Sequence, residues 1–525
     1  MKRALNITAS ELRGILLVFI GLCALTYYYS WWFKQGEMTS WWMILTFIIA
    51  SFYGIFQLVS AWIVYLSTHH RPPAPSANPE TLSVDVFITA FDEDIEMAER
   101  SLSAACNMTG EHKTWLLDDG DNPELEQLAY RLGAGYLTRV GNADMKAGNV
   151  NAALTQTSAD VVVIFDIDHI PQPDFLEKTL RCFADPKVGF VQVMPTFYNH
   201  RNNGWVARAA TETSLDFYNP TSIGMDAFNS VTKMGTNSII RRTALESIGG
   251  YQAGLAEDLA TSIALHSAGW HSRYVAEPLA PGLAPPDLSA WFTQQMKWSR
   301  GVFEVLLADF PRLFGSLTWG QRLAYAVRTT KYWIGPVIFI HLLFLIGTLF
   351  SQSAEARLNL QNYFLHFIPL AVMDSAIRGF ALRKWRHPMV TAEPLWRAIA
   401  LIFTTWPFYT LAWIMALTRQ SLAFKPTPKS AAASVNRWWL IPQLTTVGLI
   451  IWGLWVSIQV LQFDIVTHWL LYLVAIGFAL PQIGLLRPLL RPIFVTPTEA
   501  QLVPAPKFNQ TKPMPLVPEM AEEEF

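Results

Sequence analysis

Val161-Val-Val-Ile-Phe-Asp-Ile-Asp168 is the stretch that decides the fold. Its unbroken apolar start reads as a buried strand of a mostly parallel sheet. The run stops at two carboxylates spaced i, i+2, which a tight turn can aim at one divalent ion. Carboxylates together with a diphosphate suit Mg2+ or Mn2+, which would neutralise the charge on a departing nucleoside diphosphate. Alone, such an Asp-x-Asp reads equally well as a solvated acidic turn.

Two more strand ends of the same kind lie upstream. Leu116-Leu-Asp-Asp-Gly-Asp121 places Asp118 and Asp119 before a glycine that permits a tight turn. Val84-Asp-Val-Phe-Ile-Thr-Ala-Phe-Asp-Glu-Asp94 places Thr89, Asp92 and Glu93 where they can hydrogen-bond a base or ribose. Asp144-Met-Lys-Ala-Gly-Asn-Val-Asn151 then supplies Lys146, a cation suited to a diphosphate oxygen. Each could be a mere turn, but together they point to a nucleotide-diphosphate site. With residues 188–193, these apolar runs alternate with helix-like stretches, so residues 82–317 are expected to form an α/β domain. Ligands in such sheets sit at the carboxyl ends of the strands, where the acids fall. Further on, Ala256-Glu-Asp258 precedes a helical pattern at 259–269 and, taken alone, reads as an N-cap. Gln294-Gln-Met-Lys-Trp298 carries an amide, a cation and an indole within one helical turn, and Trp298 alone reads as an interfacial anchor.

Around this domain the composition changes. Of the 525 residues, 51% are hydrophobic and 15% charged, and 21 tryptophans fit aromatic belts and sugar-stacking surfaces better than an ordinary soluble core. A net charge of −2 gives no sign of a nucleic-acid partner. Cys23, Cys106 and Cys182 lie too far apart in sequence for a metal motif or a disulfide framework. Apolar stretches at 14–33, 41–66, 332–350, 363–382, 438–461 and 469–486 reach bilayer-spanning length. The stretch at 398–417 is flanked on both sides by basic residues (Arg383, Lys384 and Arg386; Arg419, Lys425, Lys429 and Arg437). A span there would put one basic flank outside, so it is expected to lie in the interface or re-enter, broken by Pro407. Lys2, Arg3 and Arg13 before the first pair, and His69, His70 and Arg71 after it, put both ends of that pair in the cytosol. The expected organisation is two membrane helices in 1–70, a Pro-rich linker at 71–79 and a cytosolic domain in 80–320. Two further spans follow in 331–390, an interfacial segment in 391–437, two spans in 438–490 and a disordered tail in 492–525.

In this order the motifs resemble the processive family 2 glycosyltransferases, and most closely the bacterial cellulose synthase catalytic subunits. That family's D, DxD, TED and QxxRW signature is matched by Asp118/Asp119, Asp166-Ile-Asp168, Ala256-Glu-Asp258 and Gln294-Gln-Met-Lys-Trp298. Lys146-Ala-Gly-Asn149 resembles its diphosphate-binding lysine motif, and Phe424-Lys-Pro-Thr-Pro-Lys429 its FxVTxK gating loop. The resemblance covers roughly residues 80 to 440. It implies a GT-A-type cytosolic domain inserted in an α-helical transmembrane bundle at the plasma (inner) membrane, with both termini cytosolic. It also implies a UDP-sugar donor, a growing polysaccharide acceptor, accessory export subunits and an inverting mechanism. By the same resemblance Asp258 is the general base, and Asp166 and Asp168 hold the metal. Thr89, Glu93, Asp118, Asp119, Lys146, Asp166, Gln294, Lys297, Thr427 and Lys429 contact the donor, while Trp298, Met234 and Glu257 contact the acceptor.

Three departures stand out. Ala256 replaces the Thr of TED, Lys297 replaces the Arg of QxxRW and loses its bidentate fork, and the acceptor motif FxCG reads Thr232-Lys-Met-Gly235. These leave a 1,4, 1,3 or mixed-linkage β-glucan open, as well as an N-acetylglucosamine or mannan polymer. Arg487-Pro-Leu-Leu-Arg491 resembles the start of a cyclic-di-GMP-binding barrel, but the 34 residues after it in a chain of 525 are too few for one. Its arginines are expected to be membrane-flanking charges. A single-sugar transferase acting on a lipid carrier would not need Trp298 or the gating loop. An inactive scaffold or export subunit would not need Asp166, Asp168 and Asp258.

Overall fold

The computed structural model describes residues 8–34, 41–71, 82–91, 93–200, 204–350, 360–384, 396–422, 429, 437–462 and 465–484. Asp92, Thr427, most of the Pro-rich linker and the tail from 485, including Arg487 and Arg491, lie outside the described residues.

The centre is a seven-stranded sheet: β1 (Val84–Ala90), β2 (Lys113–Asp118), β3 (Gly135–Thr138), β4 (Val161–Asp166), β5 (Val188–Val193), β6 (Ser238–Arg241) and β7 (His271–Val275). Their order is β3-β2-β1-β4-β6-β5-β7. Pairings are parallel except at β6, which runs antiparallel to both β4 and β5. The mostly parallel expectation holds. β3, β6 and β7 have no counterpart in the apolar runs, because each is short and broken by polar residues.

Period-two alternation sorts the strands between two cores. Val86 and Ile88 of β1 and Val163 and Phe165 of β4 pack on one face, with α3 (Ile95–Cys106), α4 (Pro123–Arg131) and α6 (Phe175–Leu180). Phe87, Val162 and Ile164 pack on the other, against α5 (Met145–Leu154) and α9 (Arg242–Ser247). The same parity puts Asp166 on the α5 side. Register then aligns the acid ends: Thr89 pairs with Asp166 and Ala90 with Asp118. Helix α3 starts cleanly because the Asp94 side chain accepts the N–H groups of Glu96 and Met97, a cap worth about 1 kcal/mol.

Between β5 and β6, α7 (Gly204–Asp216) passes through a π-helical turn at Phe217–Thr221, which holds Pro220, into α8 (Ser222–Ala227). Helix α10 (Glu257–Ser267) precedes β7. The chain then continues through α11 (Leu288–Leu307), α12 (Asp309–Leu313), α13 (Trp319–Thr330) and α14 (Ile334–Phe350). Helices α1 (Ala9–Lys34) and α2 (Trp41–Ser67) precede the sheet. Helices α15 (Leu360–Lys384), α16 (Trp396–Thr404), α17 (Trp406–Leu417), α18 (Ile441–Gln459) and α19 (Ile465–Gly484) follow α14.

Among the described residues, five helices are long and apolar enough to cross a membrane: Ala9–Phe33, Ile48–His70, Trp319–Phe350, Asn362–Leu382 and Trp438–Gln459. They match five of the expected spans, although the third begins earlier, because α13 runs into α14. The expected span at 469–486 falls in the 20-residue helix α19 (Ile465–Gly484), of which Leu471–Gly484 is apolar helix among the described residues. Helices α16 and α17 are bent 44° from each other and would make a sixth span only if taken as one. The break falls at Thr405, with Pro407 in the first turn of α17, where its missing N–H costs nothing.

Candidate active site

At the carboxyl ends of β1 and β4 a cavity of about 430 Å3 opens, lined by Thr89, Glu93, Asp119, Lys146, Asp166 and Asp168 on one side. Met234, Glu257, Asp258, Gln294, Lys297 and Trp298 line the other, and Lys429 reaches in as well. Every described site residue expected from the sequence lines this cavity except Asp118.

Asp118 is fully buried beneath the floor. Its carboxylate accepts the N–H groups of Gly120 and Asn122, both at 2.8 Å, and the Tyr136 hydroxyl at 2.9 Å. In this structure it shapes the turn that presents Asp119. Gly120 is required there, since a Cβ would fall 1.8 Å from the Phe91 carbonyl oxygen. Asp119 itself is gripped by both arms of Arg139 at 2.6 and 2.9 Å. Arg139 also donates to the Ala143 and Met145 carbonyls, pinning the turn before α5. That turn holds Asp144 and Met145 at positive φ, 56° and 46°. Non-glycine residues so strained occur where the surrounding structure over-determines them. Helix α5 then starts with Lys146 aimed at the strand ends, and Gly148 is a helical residue rather than a hinge.

Lys146 Nζ donates to Asp166 Oδ1 and, at 2.6 Å, to the Gly235 carbonyl. Lys429 Nζ donates to Asp168 Oδ1 at 2.5 Å, and Leu283 N–H donates to Asp168 Oδ2 at 2.9 Å. Burial pushes both carboxyls up, but the cations win. Lys146 and then Lys429 hold Asp166 below the usual range, and Lys429 with His169 holds Asp168 well below it. Asp166, Asp168 and His169 bring ligand atoms within 4.8 Å of one another and can hold a metal ion. The fit is supported by His169 Nδ1, a buried atom 3.5 Å from Asp168 Oδ1 with no hydrogen-bond partner. His169 is the residue sequence reasoning passed over, although it directly follows Asp168.

On the opposite wall, Glu257 and Asp258 occupy the first turn of α10. Neither is the N-cap residue, which is Ala256, but Asp258 Oδ1 accepts the first-turn N–H of Leu259 at 2.7 Å. Burial and the neighbouring Asp258 raise Glu257 to about 7, and burial raises Asp258 as well. Gly235 is close enough that a Cβ there would lie 4.0 Å from Asp258 Oδ2. The Gly235 loop reaches the site because β6 runs antiparallel, so its first residue, Ser238, pairs with Ile164 near the end of β4.

Helix α11 sets Trp298 beside this pair. At Gly301 a Cβ would come within 2.6 Å of the Ala256 nitrogen, so only glycine allows α11 to lie against the backbone that carries the acids. The helix is also fixed to the bent pair. Trp291 Nε1 donates to Thr405 Oγ1 at 2.9 Å, the Tyr409 hydroxyl donates to Gln295 Oε1 at 2.8 Å, and Arg300 donates to the Gln420 carbonyl at 2.8 Å.

Comparison with known proteins finds glycosyltransferase relatives. Residues 82–301 match the glycosyltransferase like family 2 model, and residues 244–404 match the cellulose synthase model. The cellulose synthase 1 catalytic subunit [UDP-forming] of Komagataeibacter xylinus is 33% identical over 56% of this chain and 41% of its own length. The corresponding catalytic subunit of Xanthomonas axonopodis pv. citri is 33% identical over 62% of this chain and 46% of its own. The chain thus spans less than half the length of these two relatives. Among solved structures, the mannosyltransferase PcManGT of Pyrobaculum calidifontis, in complex with GDP-Man and Mn2+, aligns with a TM-score of 0.47 at 16% identity, covering 71% of this chain and 99% of its own. The domain that holds this site is thus similar both to the glycosyltransferase like family 2 model and, in its second part, to the cellulose synthase model.

Proposed function

We propose that the chain is a processive, inverting hexosyltransferase that polymerises UDP-glucose into a β-glucan and passes the product through its own membrane helices. The observation that carries this reading is the continuity of one cavity. It runs from Asp166 and Asp168, past Asp258 and Trp298, to Ile334 of α14, Ile402 of α16 and Tyr409 of α17. A soluble transferase has no need for its acceptor side to end on helices of this kind.

In this reading Lys146, Lys429 and Asp119 position the donor, with Thr89 and Glu93 on the nucleoside. Asp166, Asp168 and His169 would hold Mg2+ or Mn2+, which supplies charge neutralisation at the diphosphate. Trp298 stacks the terminal sugar of the acceptor through its ring C–H groups. Asp258 takes the proton from the acceptor hydroxyl. The hydroxyl oxygen then attacks the anomeric carbon from the face opposite the diphosphate, the carbon–oxygen bond to UDP breaks, and UDP leaves with the electron pair. Met234, beside Gly235, replaces a family residue on the acceptor side, where the linkage is set. Cytosolic UDP-glucose would place the domain on the inner face of the plasma membrane.

The test supplies purified protein with radiolabelled UDP-glucose or UDP-N-acetylglucosamine and Mg2+ or Mn2+, followed by linkage-specific glucanases. UDP release with glucanase-sensitive polymer is expected from UDP-glucose. Asp258→Asn should abolish polymer while leaving UDP binding intact, and normal polymer from that variant would sink the base assignment.

A further inference from the structure

Lys233 has no role in the chemistry above, yet it is fully buried. A buried lysine without a carboxylate partner is rare, because desolvating an ammonium is costly. Its Nζ donates to Ser238 Oγ at 2.5 Å and lies 5.3 Å from the centre of the Tyr251 ring, so its direct partners are one hydroxyl and one aromatic face. Its backbone N–H donates to Ser262 Oγ at 2.8 Å, and that hydroxyl donates to the Asp258 carbonyl at 2.6 Å. Two residues on, a Cβ at Gly235 would lie 4.0 Å from Asp258 Oδ2. Lys233 is therefore packed behind the cavity lining and tied through Ser262 to the backbone of Asp258.

We propose that Lys233 is an internal counter-charge for the Glu257–Asp258 pair, a positioning residue that keeps Asp258 ionised and able to accept a proton. Among the described residues, four cations face the pair, and Arg328 acts on Asp258 most strongly. Asp258 faces Arg328 of α13, Lys146 of α5 and Lys233. Glu257 faces Asp258, Lys146 and Lys297 of α11. Of these cations, Lys146 is taken by Asp166 and the Gly235 carbonyl, and Arg328 lies over the Phe217 ring at 4.3 Å. Lys233 differs in being wholly shielded from water, where a charge acts with least screening. Burial, with repulsion from Lys146, lowers its ammonium to about 7, while Asp258 and Glu257 oppose the shift. The cation is therefore present below neutrality, in the range where the carboxylates would otherwise take up protons.

The inference rests on Asp258 as base, but its test does not require turnover. Lys233→Met removes the charge and keeps the volume. Lys233→Gln removes the charge and keeps a donor for Ser238. In purified full-length protein, the carboxyl titration is followed by infrared difference spectroscopy and assigned with Asp258→Asn. Losing a nearby cation raises a carboxyl, so both variants should move this titration, and the acidic limb of UDP release, to higher pH by roughly one unit. UDP binding near neutral pH should stay unchanged. An unmoved carboxyl titration in a folded variant would overturn the proposal, whatever happens to the rate. A Gln variant with the wild-type profile would show that Ser238 needs a donor and the acids need no charge. A chain that turned over no UDP-glucose would defeat the functional reading and still yield the titration.

Discussion

At the residue scale the site depends on which of two adjacent carboxyls keeps its proton. Glu257 and Asp258 follow each other on α10, both are raised by burial, and Glu257 is further raised, to about 7, by its neighbour's charge. Below that value Glu257 holds a proton, and the repulsion on Asp258 is relieved. Glu257→Gln makes the relief permanent. Because Glu257 is already neutral below about 7, the acidic limb of UDP release should stay in place in this variant, whereas Lys233→Met moves it upward. A pH–rate profile checks it, and a limb displaced upward would contradict the electrostatics proposed for the pair. At this scale the sequence was legible for residues whose chemistry is declared by a motif: Asp166, Asp168, Lys146 and Trp298 all reach the cavity. It was less legible for Asp118 and Asp119, identical in type and adjacent, because only the turn at Gly120 decides which side chain faces in. Arg139 lies in no quoted motif and Lys233 stands at the variable position of Thr232-Lys-Met-Gly235, so nothing in a single sequence separates them from surface cations.

At the element scale α11 joins the acid-bearing backbone to the bent pair of helices, and α7 is tied to that pair independently. Arg397 of α16 forms a buried ion pair with Glu212 of α7. Removing one partner of such a pair leaves an uncompensated buried charge, a cost of about 3–5 kcal/mol, whereas replacing both with apolar residues is often neutral. Arg397→Met should therefore lower the thermal midpoint of the detergent-purified protein, and the double variant Arg397→Met with Glu212→Leu should recover most of it. A double variant as unstable as the single would mean the pair acts through more than its charges. Long apolar or strongly patterned elements were readable in advance, including β1, β4 and five helices of membrane-spanning length. The strands β3 and β6 were not, because four-residue strands in polar sequence are made by neighbours rather than by their own pattern. Missing β6 hid how the Met234–Gly235 loop reaches the donor face.

For the whole molecule the question is where α16 and α17 lie. Their 44° bend, the basic residues on both flanks and the contact between Lys429 and Asp168 are mutually consistent with a segment that stays on the side of the catalytic domain. A cysteine introduced at Ser421 should react with membrane-impermeant maleimide in inverted vesicles and not in intact cells. Labelling from outside would make the bent pair a true crossing and would overturn the proposed topology. Helix α11 has a further consequence. With one end seated on the acid backbone at Gly301 and the other on Thr405 through Trp291, it works as a gauge block between the Glu257–Asp258 pair and the bent helix pair. Inserting a single residue between those seats would turn one against the other by about 100°. The separation is therefore fixed by helical geometry, and under the proposed function a change of linkage would come from exchanging side chains around the gap rather than from lengthening the block.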